Sequence, residues 1–394
     1  MRQPLITFQK KSIAMKLKYL FSISIFTISC EAQHNNLYIF NPTALIENKI
    51  TLAEIADDIN YIALDNSLPI GLIYHYEFIN NSIFLSAKDI GILLFNREGK
   101  IQNKIGSRGR GPGEYTYFMN FAINEKNESV YLMDHNTIKV YSKNGNYIRT
   151  IPLQKTGGFF LQIEFFNSRL FLPQYIMAGK AKYNWIVMDT LGNLITMKKN
   201  CIPDFQSPFL AQGGTFSSEN RICYWNCYND TVFSIFPDLS YKASFLLSSG
   251  NYRLPRSRFD PGKEPYDYLL LGTILETNHF LTIGYFYKQS TIALIEKKSK
   301  KSFVTYLEEG TWRGGISNNL DGGIDFQPDN YFQENGQEYL SGIINPLELK
   351  TYVASSNFKN SIPKYPDKKK KLEELANNIK ETDNPIFMII RLKK

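Results

Sequence analysis

The chain has 394 residues, 43% hydrophobic and 14% aromatic, with 45 Lys and Arg against 37 Asp and Glu, a formal net charge of +8. Much of that charge is local: Arg2, Lys10, Lys11, Lys16 and Lys18 meet no acid in residues 1–29, so the remainder holds 40 basic and 37 acidic residues. A net charge near +3 removes the compositional support for a nucleic-acid or anionic-membrane partner.

In chain order, Lys16 and Lys18 supply a basic start and Leu20 to Ile28 an apolar run too short to be a retained membrane span, which reads as an export signal. Met1 to Ala14 reads as an upstream extension from a mis-set start, with Met15 the expected initiator. Cys30 follows Ser29 where a bacterial lipoprotein carries its acylated cysteine, although Thr27 stands where leucine is usual. Ordinary cleavage near Ala32 is the alternative. The expected organisation is a signal peptide over 1–29, a tether over 30–48 and one domain over 49–394.

Within that domain a hairpin of the form apolar-x-x-x-Gly-x returns about every 47 residues. Phe95 to Lys100, Tyr141 to Asn146 and Met188 to Asn193 carry Gly99, Gly145 and Gly192; Phe236 to Tyr241 and Ile295 to Lys300 hold the slot with Ser240 and Ser299. The anchors lie 46, 47, 48 and 59 residues apart, the length of one four-stranded propeller blade. An inner strand precedes each hairpin, beginning at Ser82, Ser129, Ser168, Asn220 and Asn278. These short segments are aromatic and β-branched and are bounded by Gly, Asn and Asp turns.

Five blades are countable. A sixth follows if Ile59 to Leu64 and Pro385 to Leu392 join in one sheet, which removes the open edge between first and last blade. The expected fold is an all-β, six-bladed β-propeller with four-stranded antiparallel blades, the N- and C-terminal strands closing one blade, and one short C-terminal helix. Seven blades is the alternative count. Leu372, Leu375, Ala376 and Ile379 recur at helical spacing and place the helix over Asp367 to Glu381, where the Lys368 to Lys371 run reads as a solvated helix start.

Cys201, Cys223 and Cys227 leave an odd number of thiols after Cys30. Cys223 and Cys227 on one strand would stand ~13 Å apart, too far to bridge. Cys201 is placed to reach one of them across strands. With no histidine nearby, buried free thiols fit better than a metal site.

The segment Ile105-Gly-Ser-Arg-Gly-Arg-Gly-Pro-Gly-Glu-Tyr115 is the most distinctive. Its glycines allow tight folding and backbone N–H groups aimed at an anion beside Arg108 or Arg110, though it lacks the Gly-Lys-Ser/Thr of a phosphate loop. With Val130 to Asp134, Ile138 to Tyr141 and Gly145 it resembles an NHL-type repeat. From about Lys49 to Lys394 the chain resembles the six-bladed β-propeller lipoproteins of Bacteroidetes. The resemblance rests on Gly109 to Tyr115, the Gly-Gly segment Asn319 to Phe326, and Asp383-Asn384-Pro385. It implies a propeller of largely unassigned role, with no catalytic set to carry over.

Catalysis has thin support. His34, His75, His135 and His279 show no ligand or triad spacing. Asp321 and Asp325 with Glu308 and Glu309 are candidates for paired carboxylates, or are turn acids bonded to their own loop. Binding is the stronger class. Arg108, Arg110, Trp312 and Arg313 are the candidate ligand residues, suited to stacking on sugar or peptide and forking onto carboxylate, or else are structural. The expectation is an envelope protein, lipid-anchored through Cys30 or else periplasmic. It would bind a glycan, a peptide or an envelope complex, with no cofactor, metal or nucleic acid; a carbohydrate-active hydrolase or lyase is the alternative.

Overall fold

The computed structural model describes residues 37–45, 48–176, 179–207, 213–218, 220–247, 252–256, 267–308 and 314–394. Two short elements and one strand come first: β1 (Ile39–Phe40), α1 (Leu52–Ile55) and β2 (Ala56–Ala63). The first blade follows as β3 (Ile73–Ile79), β4 (Ser82–Ala87), β5 (Gly91–Asn96) and β6 (Ile101–Ile105). The second is β7 (Phe118–Asn124), β8 (Ser129–Asp134), β9 (Thr137–Tyr141) and β10 (Tyr147–Pro152). The third is β11 (Glu164–Phe166), β12 (Arg169–Pro173), β13 (Tyr183–Asp189) and β14 (Leu194–Lys199). The fourth is β15 (Gly213–Ser218), β16 (Arg221–Asn226), β17 (Thr231–Ile235) and β18 (Tyr241–Leu247). The fifth is β19 (Leu270–Glu276), β20 (Phe280–Tyr287), β21 (Gln289–Glu296) and β22 (Ser302–Tyr306).

The sixth blade is built from both ends of the domain: β23 (Asn330–Glu334) and β24 (Gln337–Ile344), then β25 (Ile386–Leu392), with β2 as its outermost strand. β2 and β25 pair antiparallel from Ala56 opposite Leu392 to Ala63 opposite Ile386, so the ring is a six-bladed propeller closed by its N- and C-terminal strands. β1 adds a fifth, parallel strand to the outer edge of the fourth blade.

Sheets standing face to face explain the strand sequences. Second and third strands are covered on both faces, so β4 and β8 are buried at every position and read as apolar runs rather than alternating ones. Each of the six interfaces holds its own hydrophobic cluster. Phe78 stacks on Phe332 between first and sixth blades, Phe84 and Phe121 share the cluster between first and second, and Trp185 meets Tyr224 between third and fourth. At the outer strand alternation weakens, and Leu194, Ile195 and Met197 of β14 are exposed.

Three sequence expectations need correction. The strands beginning at Ser82, Ser129 and their counterparts are the second of each blade; the innermost strands are β3, β7, β11, β15, β19 and β23. The left-handed turn position is Gly99, Gly145 and Gly192 in three hairpins, but in the other two it is Leu239 and Lys300, at φ 68° and 63°, rather than Ser240 and Ser299. The fourth-blade turn sits one residue earlier and the fifth is one residue longer, closed by Leu239 N to Phe236 O and Lys300 N to Glu296 O. Finally, Cys223 and Cys227 are both buried and neither is in a disulfide, so Cys201 bridges neither.

Between β24 and β25 the chain inserts α2 (Pro346–Ala354), α3 (Ser356–Asn360) and α4 (Pro366–Asn378). The helix expected over Asp367 to Glu381 is α4; the other two carry no long apolar stripe and escape periodicity. Asn345 caps α2 by accepting from Leu347 N at 2.9 Å, with Pro346 at the first helical position. Leu372 and Ala376 of α4 and Leu349 and Val353 of α2 pack on the cluster between fifth and sixth blades. Lys368 pairs with Asp58 and Lys369 reaches Ser361 O, so half of the basic run docks the helix while Lys370 and Lys371 face solvent.

Candidate functional site

The innermost strands enclose a central channel whose cavity measures about 840 Å³. On β3 the alternation of the strand sends Tyr76 and Phe78 into the blade interface and His75 and Glu77 to the channel. β15 repeats the pattern: Gly213, Thr215 and Ser217 are accessible while Gly214, Phe216 and Ser218 are buried.

Polar side chains from several blades meet in this channel. His75 Nε2 donates to Glu77 Oε1 at 3.1 Å, and their side chains keep 29% and 23% of their surface open to the cavity. The edge of the His75 ring contacts Phe121 of the second blade. Glu164 on the third blade accepts a 2.7 Å hydrogen bond from Thr215 Oγ1 on the fourth. Asp329, just before β23, completes the group on the sixth blade.

Enclosure by the ring sets the proton affinities. Glu164 is pushed up to about 7, first by burial and further by the charge of Glu77, with His75 and the Thr215 bond pulling the other way. For His75, burial pulls the imidazolium down, but the hydrogen bond and charge of Glu77, with Glu164 and Asp329 further off, outweigh it and raise the pKa. Asp329 is raised by enclosure against a bond from Tyr76 and the charge of His75. Its side chain is exposed along the cavity, so channel water tempers that rise without reversing it.

The residues singled out from the sequence lie elsewhere. Arg108 is exposed and meets Asp89 only at 3.5 Å, and Arg110 is exposed. The loop uses its own anion: Glu114 accepts from Gly111 N at 2.7 Å, and a Cβ at Gly109 would overlap that carboxylate. Tyr115 N and Gly109 N close the loop onto Ser107 O and Tyr115 O, while Tyr141 Oη donates to Gly113 O at 2.8 Å. Asp134 holds the exit by accepting from Thr116 N and Tyr117 N. Cys30, Glu309, Trp312 and Arg313 lie outside the described residues.

Two further motifs are also architectural. Asp321 is fully buried and accepts from Asn318 Nδ2 at 2.7 Å and Gly323 N at 2.9 Å, as a turn acid does. Asn384 accepts from Ile70 N and donates to Asp65 O and Leu68 O, pinning the segment before β3 to the closing strand. Arg108, Arg110, Asp321 and Asn384 do not line the channel. The sequence signal for the channel was the i, i+2 placement of His75 and Glu77, and of Thr215 and Ser217, on strands just before the recognised ones.

Among the described residues no group of three or more His, Cys, Asp or Glu is arranged to hold a metal ion, and no helix is long and apolar enough to cross a membrane.

No curated protein matches the chain significantly in sequence. The structure of a protein from Bacteroides fragilis NCTC 9343, described as exported, superposes with a TM-score of 0.63 at 16% identity, covering 88% of this chain and 98% of that one. A DUF4221 family member from Bacteroides vulgatus gives 0.48 at 13% identity, over 88% and 99% of the two chains. Virginiamycin B lyase from Staphylococcus aureus gives 0.44 at 12%, over 84% and 99%. At 16% identity the likeness to the Bacteroides fragilis protein is one of fold. Residues 23–391 match the family described as Domain of unknown function (DUF4934), and the chain belongs to that family.

Proposed function

We propose that this protein is an exported binding propeller that holds a polar ligand, a glycan or a peptide segment, in its central channel, without chemistry of its own. The supporting observation is the 840 Å³ cavity, of the size that small-ligand sites occupy, into which several blades converge polar groups. The basic start and short apolar run before Cys30 support export, and Cys30 supports a lipid anchor facing the periplasm or the cell surface. The exposed Arg108 and Arg110 stand outside this site.

The purified protein on glycan and peptide arrays tests the reading. Retention of a ligand with no product supports it; turnover of a retained glycan contradicts it. One observation favours the second reading, a carbohydrate-active hydrolase or lyase. Glu164, pushed up to about 7, lines the same channel as His75, and a carboxyl raised into that range suits a general acid. Turnover abolished by Glu164→Gln would establish that alternative.

A further inference from the structure

We infer that the group recognised in the channel is a protonated amine. This rests on the channel being the ligand site and specifies its chemistry.

The charge of the cavity wall is one-sided. Glu77, Glu125, Glu164, Glu334 and Asp329 line it, and no lysine or arginine does among the described lining residues. The chain as a whole is basic, so this asymmetry is opposite to its composition. Two of the five acids are compensated: Glu334 pairs with Arg97 at 2.9 Å, and Glu77 with His75 at 3.1 Å. Glu164 and Asp329 are bonded to no basic side chain among the described residues.

Glu164 is the more telling of the two. It is half-buried inside the ring, and Thr215, a neutral hydroxyl, is its only hydrogen-bond donor among the described residues. One carboxyl oxygen is thus left facing the cavity without a donor. Across the channel stand His75 and Glu77, already bonded to each other. Burial inside the ring, with the charge of Glu77 beside it, is the physical reason the Glu164 carboxyl retains its proton toward neutral pH against the pull of His75.

An ammonium group brings three N–H donors and the missing positive charge in one small volume, which suits either Glu164 or Asp329. A carboxylate or phosphate would face like charge in an enclosed site. A neutral hydroxyl would satisfy the donor deficit and leave the charge uncompensated. With an amine that stays protonated through this range, as the lysine side chain does, binding should also expel the Glu164 proton, so affinity rises from about pH 6 to about pH 8.

Calorimetry on the full folded protein with paired probes tests this. A glucosamine trimer is compared with the N-acetylglucosamine trimer, and a lysine tripeptide with its Nε-acetylated form. We expect one amine probe to bind about ten-fold or more tighter than its acetylated partner, with the pair that responds identifying the source as sugar or peptide. One of the two variants Glu164→Gln and Asp329→Asn should erase most of that preference, with no loss of melting temperature. Equal binding of amine and acetylated probes overturns the amine while leaving the channel as the site. Binding by neither amine at millimolar concentration also overturns it, and array-retained ligands then decide whether the channel reading survives. An amine preference that persists in both variants overturns the assignment to these carboxylates.

Discussion

The Thr215 hydroxyl on the fourth blade donates to the Glu164 carboxyl on the third at 2.7 Å, tying two blades at the wall of the channel with a neutral donor. A charged donor there would hold the acid ionised; a hydroxyl does not, and enclosure wins. The pKa of Glu164 in the folded chain therefore rises from the ordinary 4.5 to about 7.

This fixes a pH dependence. Between those two values the folded protein binds a proton that the unfolded chain releases, so the stabilising contribution is fully present below about pH 4.5 and lost as pH rises through about 7. His75, also raised, contributes with the same sign over the window just above its ordinary 6.5. In urea unfolding at a series of pH values, Glu164→Gln should flatten the decline by about 1–2 kcal/mol, with the His75 part remaining. An identical slope in variant and wild type would contradict the assignment.

The glycine loop should behave as architecture. At Gly113, φ is +81° and a Cβ would stand 2.6 Å from the Tyr147 ring, so Gly113→Ala is expected to destabilise by about 2 kcal/mol or more. Tyr141→Phe, which loses the bond to Gly113 O, should cost about 1 kcal/mol. Arg108→Ala and Arg110→Ala should stay within about 0.5 kcal/mol of wild type. Chemical denaturation reads all four.

Glu276 joins fourth and fifth blades. It is 6% exposed and accepts from Arg221 at 2.6 Å and Lys297 at 2.9 Å. Both cations are partly solvated, so Glu276→Ala should cost about 2–3 kcal/mol, less than a fully buried pair would. Arg221→Ala should cost less than Glu276→Ala, since Lys297 still compensates the carboxylate. Equal losses would mean that Lys297 contributes nothing.

The ring was legible in the sequence because a hairpin must turn the same way in every blade. Gly99, Gly145 and Gly192 mark left-handed positions, and the apolar runs at Ser82 to Leu85 and Ser129 to Leu132 mark strands covered on both faces. Leu239 and Lys300 hid the same turn because they adopt positive φ without being glycine. The helices α2 and α3 were invisible, being short and held by tertiary packing. Glycine density and arginine drew attention to the loop at Ser107 to Tyr115, where Glu114 already fills the role of the anion. The channel group stayed hidden because its members are single residues from blades far apart in sequence; only the i, i+2 spacing of His75 and Glu77 is local.

Anchoring has a direct readout. Wild-type protein expressed with radiolabelled fatty acid should incorporate label and Cys30→Ala should not. Label in neither would leave the protein as the product of ordinary cleavage near Ala32.

The channel itself can be plugged. Gly272 lines it on β19, and a Cβ there would meet only Gly284 O, at 3.5 Å, so a side chain has room to grow without disturbing the sheet. Titration calorimetry of an array-retained ligand against wild type and Gly272→Phe, with melting temperatures in parallel, tests the account most directly. Binding to wild type, a loss of at least about ten-fold in affinity in Gly272→Phe, and an unchanged melting temperature are expected. Undiminished binding to the plugged protein would contradict it.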